Sequence, residues 1–485
     1  MTTTPTTELV SMISSSVAPS TSSPIKVYMH VVGSASADVR AMRAGTALVK
    51  AGFNVSVLDV ASEDTQLAEE NREGMHIQHL LVPESFVATR FKRRTLFRAI
   101  VLCIRTTFRL INTQADIYHA LDLPALPASY IAATVRHKPL VFESYELPLS
   151  TLPLAEMSVS RRLLQALVAF LLRHMMSRCA AVIVVSPSIE REMCKRYSCS
   201  TVSLVRNIAP YRKVPRSGKL REQLKLAPHM RIALYQGYLQ PDRGLDLLVK
   251  AAPFLEKNVI LVLMGEDRLG TQGKLEALII SEGVADRVKI IPAVPYTELL
   301  EWTTSADIGL IVYPQDYSPN VQMMLPNKLF EFLMAGVPVL ASPLDDVVDI
   351  IRSYNVGHVV SSLAPTDIGT AINAMLADQH ALDRMRSNAL KAVQEDLNWE
   401  KEQQQLVHLY YGIPASKEQM PSKVNLNSSA DAIAQVLSRS PRATRKMPRT
   451  GSDGAITTSV PYTVAANDRL KRSCIDGAWK TPPER

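Results

Sequence analysis

Short apolar runs alternate with helical lengths along this chain, and the series begins twice. Residues 26–32 form a first apolar run. A loop at Gly33 and a helical stretch through Met42 and Leu48 follow, and after Gly52 a second run occupies 55–60. Further runs at 77–82, 117–120, 140–142 and 181–185 are separated by enough chain for a crossover helix, as parallel strands require. The series restarts at 232–236, running into Gly237, and continues at 259–264, 288–290, 308–312, 337–341 and 357–360. This spacing predicts an α/β chain with two Rossmann-like domains, residues 24–207 and 208–395. An amphipathic helix over 396–412, with Trp399, Leu406 and Leu409, is expected to close it. Ligands of open parallel sheets bind beyond the carboxyl ends of the strands, so the expected site is a central cleft between the two sheets.

The 485 residues suffice for two such cores with chain left over, and 47% apolar with 21% charged is a globular balance. Residues 1–23 are rich in Ser and Thr, and their one charge is Glu8. Lacking a basic start and an apolar stretch, they read as a disordered lead-in and not as a secretory signal. Residues 413–485 read as a disordered basic tail: from Ala415 on, twelve Lys or Arg face six Asp or Glu, most of the formal net charge of +8. The body is therefore close to neutral, which argues against a nucleic-acid partner; the tail, with Arg442, Arg445, Lys446 and Arg449, reads as solvated chain. Five cysteines without paired CxxC spacing fit a reducing, cytoplasmic compartment, and no His or Cys completes a metal site around Cys194 and Cys199. No metal and no resident cofactor are expected.

Residues 325–341, Leu-Pro-Asn-Lys-Leu-Phe-Glu-Phe-Leu-Met-Ala-Gly-Val-Pro-Val-Leu-Ala, run from a loop into a helix, a turn at Gly336 and a buried strand. A helix N-terminus presents unpaired N–H groups and a positive dipole end, which suits a diphosphate. A nucleoside-diphosphate leaving group departs with two or more negative charges, so its pocket needs preorganised donors and a permanent cation. Arg243, just after the Gly237 turn, and Lys328, in the loop before Glu331, are the candidates. Glu331 sits one turn into the helix, within reach of hydroxyls on whatever the phosphate carries. The alternative is an ordinary strand-loop-helix unit with Glu331 solvated.

Three more segments accompany that loop: Asp38-Val-Arg40 with 44–55; Ala115-Asp-Ile-Tyr-His119-Ala-Leu-Asp122 leading to Val141-Phe-Glu143-Ser-Tyr-Glu146; and Tyr235-Gln-Gly237 through Arg243-Gly244. In their order and spacing, residues 24 to about 412 resemble the GT-B glycosyltransferases, in particular the retaining family-4 type that builds polysaccharides and glycolipids. The resemblance implies a nucleotide sugar as co-substrate and an acceptor glycan or lipid-linked sugar. It puts Arg243 where the family binds the diphosphate and Glu331 where a carboxylate accepts ribose hydroxyls. Gly237, Gly244, Gly265, Glu266, Leu325, Asn327 and Lys328 are expected around the donor. His119 is expected at a strand end facing the cleft, near the transferred sugar, and Arg40, Asp122, Glu143 and Glu146 on the acceptor side. One of these carboxylates orients or deprotonates the acceptor hydroxyl; the sequence does not select it. A front-face mechanism is implied, in which the departing phosphate helps to remove the acceptor proton.

The chain also departs from the family pattern. Counting eight residues back from Glu331, where relatives carry a first glutamate, gives Met323. Pro326 removes one backbone donor, leaving Leu325 and Asn327. Leu121 and Tyr145 stand where relatives often show His, and Tyr238 where a second base is frequent. Two other readings stay open: a nucleotide-sugar epimerase of the same architecture and a non-catalytic scaffold subunit. Residues 90–111 are basic and amphipathic, with Lys92, Arg93, Arg94, Arg98, Arg105 and Arg109, and 161–173 are apolar but too short to span a bilayer. Both helices either dock on an anionic membrane surface, which makes the protein peripheral on a cytoplasmic leaflet, or pack on the sheet with solvated basic faces.

Overall fold

A computed structural model describes residues 23–62, 67–83, 92–149, 159–197, 199 and 201–414, with the side chains of 62, 92–96 and 159–164 excepted. Almost all of the expected lead-in (1–23) and basic tail (413–485) lie outside the described residues.

Eight strands build the first sheet: β1 (Lys26–Val31), β2 (Asn54–Ser62), β3 (Glu69–Arg72), β4 (Met75–Val82), β5 (Ile117–Leu121), β6 (Leu140–Ser144), β7 (Ala181–Val184) and β8 (Val202–Leu204). Their order is β3-β4-β2-β1-β5-β6-β7-β8, parallel except for β3, which pairs antiparallel with β4. The second sheet holds β9 (Arg231–Gln236), β10 (Val259–Met264), β11 (Val288–Ile291), β12 (Ile308–Ile311), β13 (Val339–Ala341) and β14 (Gly357–Val359). It runs β11-β10-β9-β12-β13-β14 and is wholly parallel. Strands such as β5, β6, β10 and β12 are buried at every position, because helices cover both faces. That double cover is why they read in the sequence as continuous apolar runs. Two strands give no such signal: β3 is the polar edge segment Glu-Glu-Asn-Arg, and β8 is three residues long. The two-sheet GT-B architecture expected from the sequence is the one observed.

The helix Trp399–Tyr411, capped by the Asn398 side chain, comes after the second sheet in sequence and packs on the first. Tyr410 sets its hydroxyl 2.8 Å from Nδ1 of His119 and its ring edge-on to Phe53. Glu402 accepts hydrogen bonds from the backbone and side chain of Arg206. Here three sequence expectations need correction. His119, expected at the cleft, and Arg40 and Glu143, expected on the acceptor side, are 0%, 2% and 0% exposed. The reason is the period of two along a strand: His119 shares its face with Ile117 and Leu121, which pack in the same cluster as Trp399, Leu406 and Tyr410. Arg40 donates from Nε to Glu143 at 2.5 Å and from its other nitrogens to the carbonyls of Val205 and Arg206 at 2.9 Å. The second Glu143 oxygen is 3.3 Å from Nε2 of His119. Burial pushes the Glu143 carboxyl up, but Arg40 and His119 outweigh it and hold it below its ordinary 4.5.

Arg40→Ala leaves a buried carboxylate without its counter-charge and is expected to cost about 3–5 kcal/mol in urea denaturation at neutral pH. The pair's contribution in the parent is complete above pH 4.5 and is lost as pH falls through the lowered Glu143 value, so the stability gap to the variant should narrow in acid.

Candidate functional site

A cavity of about 610 Å³ opens beyond the carboxyl ends of β9, β10, β11 and β12, and all its lining residues come from the second domain. Gly237 and Gly265 end β9 and β10 side by side. Gly237 has φ +125°, and a Cβ on Gly265 would sit 1.8 Å from the Gly237 carbonyl oxygen, so only glycine lets these strand ends meet under a ligand. Arg243 ends the short turn Pro241–Arg243 and stacks its guanidinium over Tyr313, 5.3 Å from the ring centre.

The helix Asn327–Met334 starts after Pro326, with no side chain capping it, and points its first turn at the cavity. Its apolar side is buried: Phe332 packs so closely on β12 that a Cβ at Gly309 would overlap the ring. Lys328, in the first turn, is nearly buried, with its ammonium 3.7 Å from the Tyr235 ring centre and 5.3 Å from that of Tyr313. Burial and the neighbouring Arg243 charge push this lysine well below its ordinary value. Glu331, one turn on, accepts a 2.7 Å hydrogen bond from Gln236, whose own carbonyl oxygen accepts from Thr303 at 2.8 Å. Its carboxyl is raised by burial, against the pull of Gln236, Lys328 and Arg43. Two basic side chains held against aromatic faces, with one carboxylate a turn deeper, line this end of the cavity.

Seven of the nine donor-side residues expected from the sequence meet at this cavity: Gly237, Arg243, Gly265, Glu266, Asn327, Lys328 and Glu331. Gly244 and Leu325 stand behind the wall. Gly244 lies where a Cβ would strike the Val312 carbonyl, and Leu325 is buried in the core under the helix. Tyr235, Gln236, Tyr296 and Tyr313 also line it and were not anticipated. Gln236 had a readable signal, a polar residue closing an apolar strand.

Across the cleft the first domain offers Asp122, half-buried at φ 65°, and Glu146, which is exposed. Partial loss of hydration beside the opposite domain raises both carboxyls; for Glu146 the Asp122 charge adds to the rise and Arg243, from the opposite domain, opposes it. Several bonds cross between the domains. Asn320 accepts from the Leu147 N–H at 3.0 Å and donates to Glu146 at 3.2 Å. Arg43 donates to the Tyr296 hydroxyl at 3.0 Å, and Asp346 accepts from both the backbone and the hydroxyl of Ser188. Met323 turns away from the cavity, 7% exposed, and packs in the hydrophobic cluster of the first domain, while its carbonyl accepts from Ser186 at 2.8 Å. Met323, at the position where the resemblance led to the expectation of a glutamate, joins the domains here. Among the described residues no group of three His, Cys, Asp or Glu is placed to hold a metal ion.

The profile of the glycosyl transferases group 1 family matches residues 217–392, and that of glycosyltransferase family 4 matches residues 37–208. A D-inositol 3-phosphate glycosyltransferase of Catenulispora acidiphila is 28% identical over 181 residues, 35% of this chain and 41% of that one. An uncharacterized glycosyltransferase of Methanocaldococcus jannaschii is 26% identical over 239 residues, 47% of this chain and 59% of that one. The chain thus spans about half the length of these curated relatives. Among solved structures, a sucrose-phosphate synthase of Thermosynechococcus elongatus is similar with a TM-score of 0.64 at 17% identity, over 80% of this chain and 98% of that one. Anabaena HepE in complex with UDP is similar with a TM-score of 0.61 at 16% identity, over 80% and 100%. At these identities the likeness to solved structures establishes the fold.

Met323→Glu buries a carboxylate in an apolar cluster and is expected to lower stability by about 2 kcal/mol or more in chemical denaturation at neutral pH. Unchanged stability would mean that residue 323 reaches the cavity after all.

Proposed function

Because this chain belongs to the GT-B glycosyltransferases of the group 1 and family 4 type, we propose that it transfers a sugar from a nucleoside-diphosphate sugar to a lipid-linked or polysaccharide acceptor, with retention. The observation that carries this reading is the juxtaposition of Arg243, Lys328 and Glu331 around one cavity. Lys328 makes no ion pair among the described residues, Arg243 has only the 3.6 Å pair with its neighbour Asp242, and a diphosphate supplies the opposite charge to both. Glu331, oriented by Gln236, takes the ribose hydroxyls, and the Gly237 and Gly265 backbones let the nucleotide lie against the strand ends. That HepE was solved with UDP and UDP-glucose makes a uridine nucleotide the first to test.

In the proposed step the bond between the sugar carbon and the phosphate oxygen breaks while the acceptor oxygen approaches on the same face. The acceptor proton passes to the departing phosphate, whose negative charge is held by Arg243 and Lys328. Asp122 and Glu146 are the first-domain carboxylates on the open side of the cleft, and they orient the acceptor hydroxyl. His119, Arg40 and Glu143 play no part at the reacting atoms, since the first domain buries them. The acceptor is presented at the cytoplasmic face of a membrane.

Calorimetric titration with UDP, GDP and ADP tests the reading. One nucleotide should bind, and Arg243→Ala and Glu331→Ala should each weaken it by about tenfold to a hundredfold, the worth of one charge-assisted hydrogen bond. Binding of none of the three, or binding indifferent to both substitutions, overturns the reading in favour of a scaffold subunit.

A further inference from the structure

Three helices cover one face of the first sheet: Lys92–Ile111, Leu126–Arg136 and Val159–Met176. The middle one packs against both neighbours, and Tyr130 meets His174 edge-on. All three bury their inner sides in one cluster, through Leu110, Leu126, Ala132, Leu172 and Met176. Their outer sides are also apolar. On the first helix Phe97, Ile100, Ile104 and Phe108 recur at spacings of three and four residues and are all exposed, so this helix has two apolar stripes, only one of which the domain uses. Ile131 and Val135 on the second helix and Leu167, Phe170 and Leu171 on the third continue the surface. Phe97, Phe108 and Phe170 are 65%, 65% and 66% exposed, so no part of this chain among the described residues covers them.

Charge decides what does. None of the three helices contains an Asp or a Glu. The first contributes Lys92, Arg93, Arg94, Arg98, Arg105 and Arg109, and the ends of the others add Arg136 and Arg173. An apolar face on helices that carry Arg98, Arg105, Arg109, Arg136 and Arg173 and no carboxylate of their own fits a surface whose own charge is negative and whose interior is hydrocarbon. No helix among the described residues is long and apolar enough to cross a membrane, so contact is in the plane of the headgroups.

We propose that this three-helix face docks on an anionic lipid bilayer, with Phe97, Phe108 and Phe170 inserted among the acyl chains and the arginines at the phosphates. Each of the three helices follows a strand and runs back along the sheet, so each begins on the carboxyl-end side, where the cleft opens. Docking by this face holds the cleft mouth at the headgroup level. The placement of a lipid-linked acceptor rests on the transfer reading above; the docking itself rests on the surface.

Sedimentation of the full chain with vesicles tests it. The chain should pellet with vesicles of which half the lipid is phosphatidylglycerol and stay in solution with phosphatidylcholine alone, and added salt should weaken the binding. Phe97→Ser, Phe108→Ser and Phe170→Ser combined, and separately Arg109→Glu with Arg136→Glu, should each lower the partition coefficient about tenfold or more with an unchanged thermal transition. No pelleting with anionic vesicles overturns the proposal and points to an acidic protein partner. Pelleting that both variants retain overturns it as well and assigns the binding to another part of the chain, such as residues 415–485. Vesicle binding without nucleotide binding defeats the transfer reading and leaves the docking standing, and the converse defeats only the docking.

Discussion

The guanidinium of Arg40 is the point on which the arrangement of this molecule turns. It joins the helix Val39–Lys50 to β6 through Glu143, to the chain between the two sheets through the carbonyls of Val205 and Arg206, and to the closing helix by lying 5.3 Å from the Trp399 ring centre. Glu143 extends the tie to His119 and so to Tyr410. A charge pair removed this far from water survives only when its remaining donors are satisfied, and here the backbone satisfies them. The second sheet can face the first only if the chain leaves at 205–208 and returns at 399–411, and both crossings are fastened at this one cluster.

The cavity of the second domain follows a different electrostatic logic. Lys328 is nearly buried and makes no ion pair among the described residues, which is costly for any lysine. The ammonium lies over the Tyr235 ring, and the polyanionic ligand proposed above would supply the opposite charge. Arg243 lies over Tyr313, so two permanent donors are fixed before any ligand arrives. Preorganisation of this kind spares the reaction the reorganisation that water would require.

The sequence made most of the expected cavity residues legible because they fall in two short contiguous motifs, Gly237 to Arg243 and Asn327 to Glu331, whose helix and turn geometry is local, while Gly265 and Glu266 stand at a separate strand end. Most strands were legible for the related reason that burial on both faces writes an unbroken apolar run. The first-domain assignments were less secure. His119 looked like a strand-end residue at the cleft, but the face it points to is decided by register, and what covers that face is a helix almost three hundred residues later in the chain. Edge strand β3 carries polar residues because one of its sides has no neighbour. Asn320 could not be found at all, since its partners Glu146 and Leu147 lie 174 and 173 residues away and only the folded chain brings them together.

Met323 and Asn320 belong to the second domain by sequence and to the first by contact. The segment that carries them, a short helix at Pro319–Gln322 and the turn after it, runs without interruption into Lys328 and Glu331, so the cavity of the second domain is cut partly to the shape of the opposite domain. Two-domain enzymes of this architecture look modular, as if halves from different parents were interchangeable. In this chain the seam does not follow the boundary between the sheets. A graft of the second half alone would bring a methionine and an asparagine fitted to a surface it had left behind, and the unit that can be exchanged must include the recess that receives Met323.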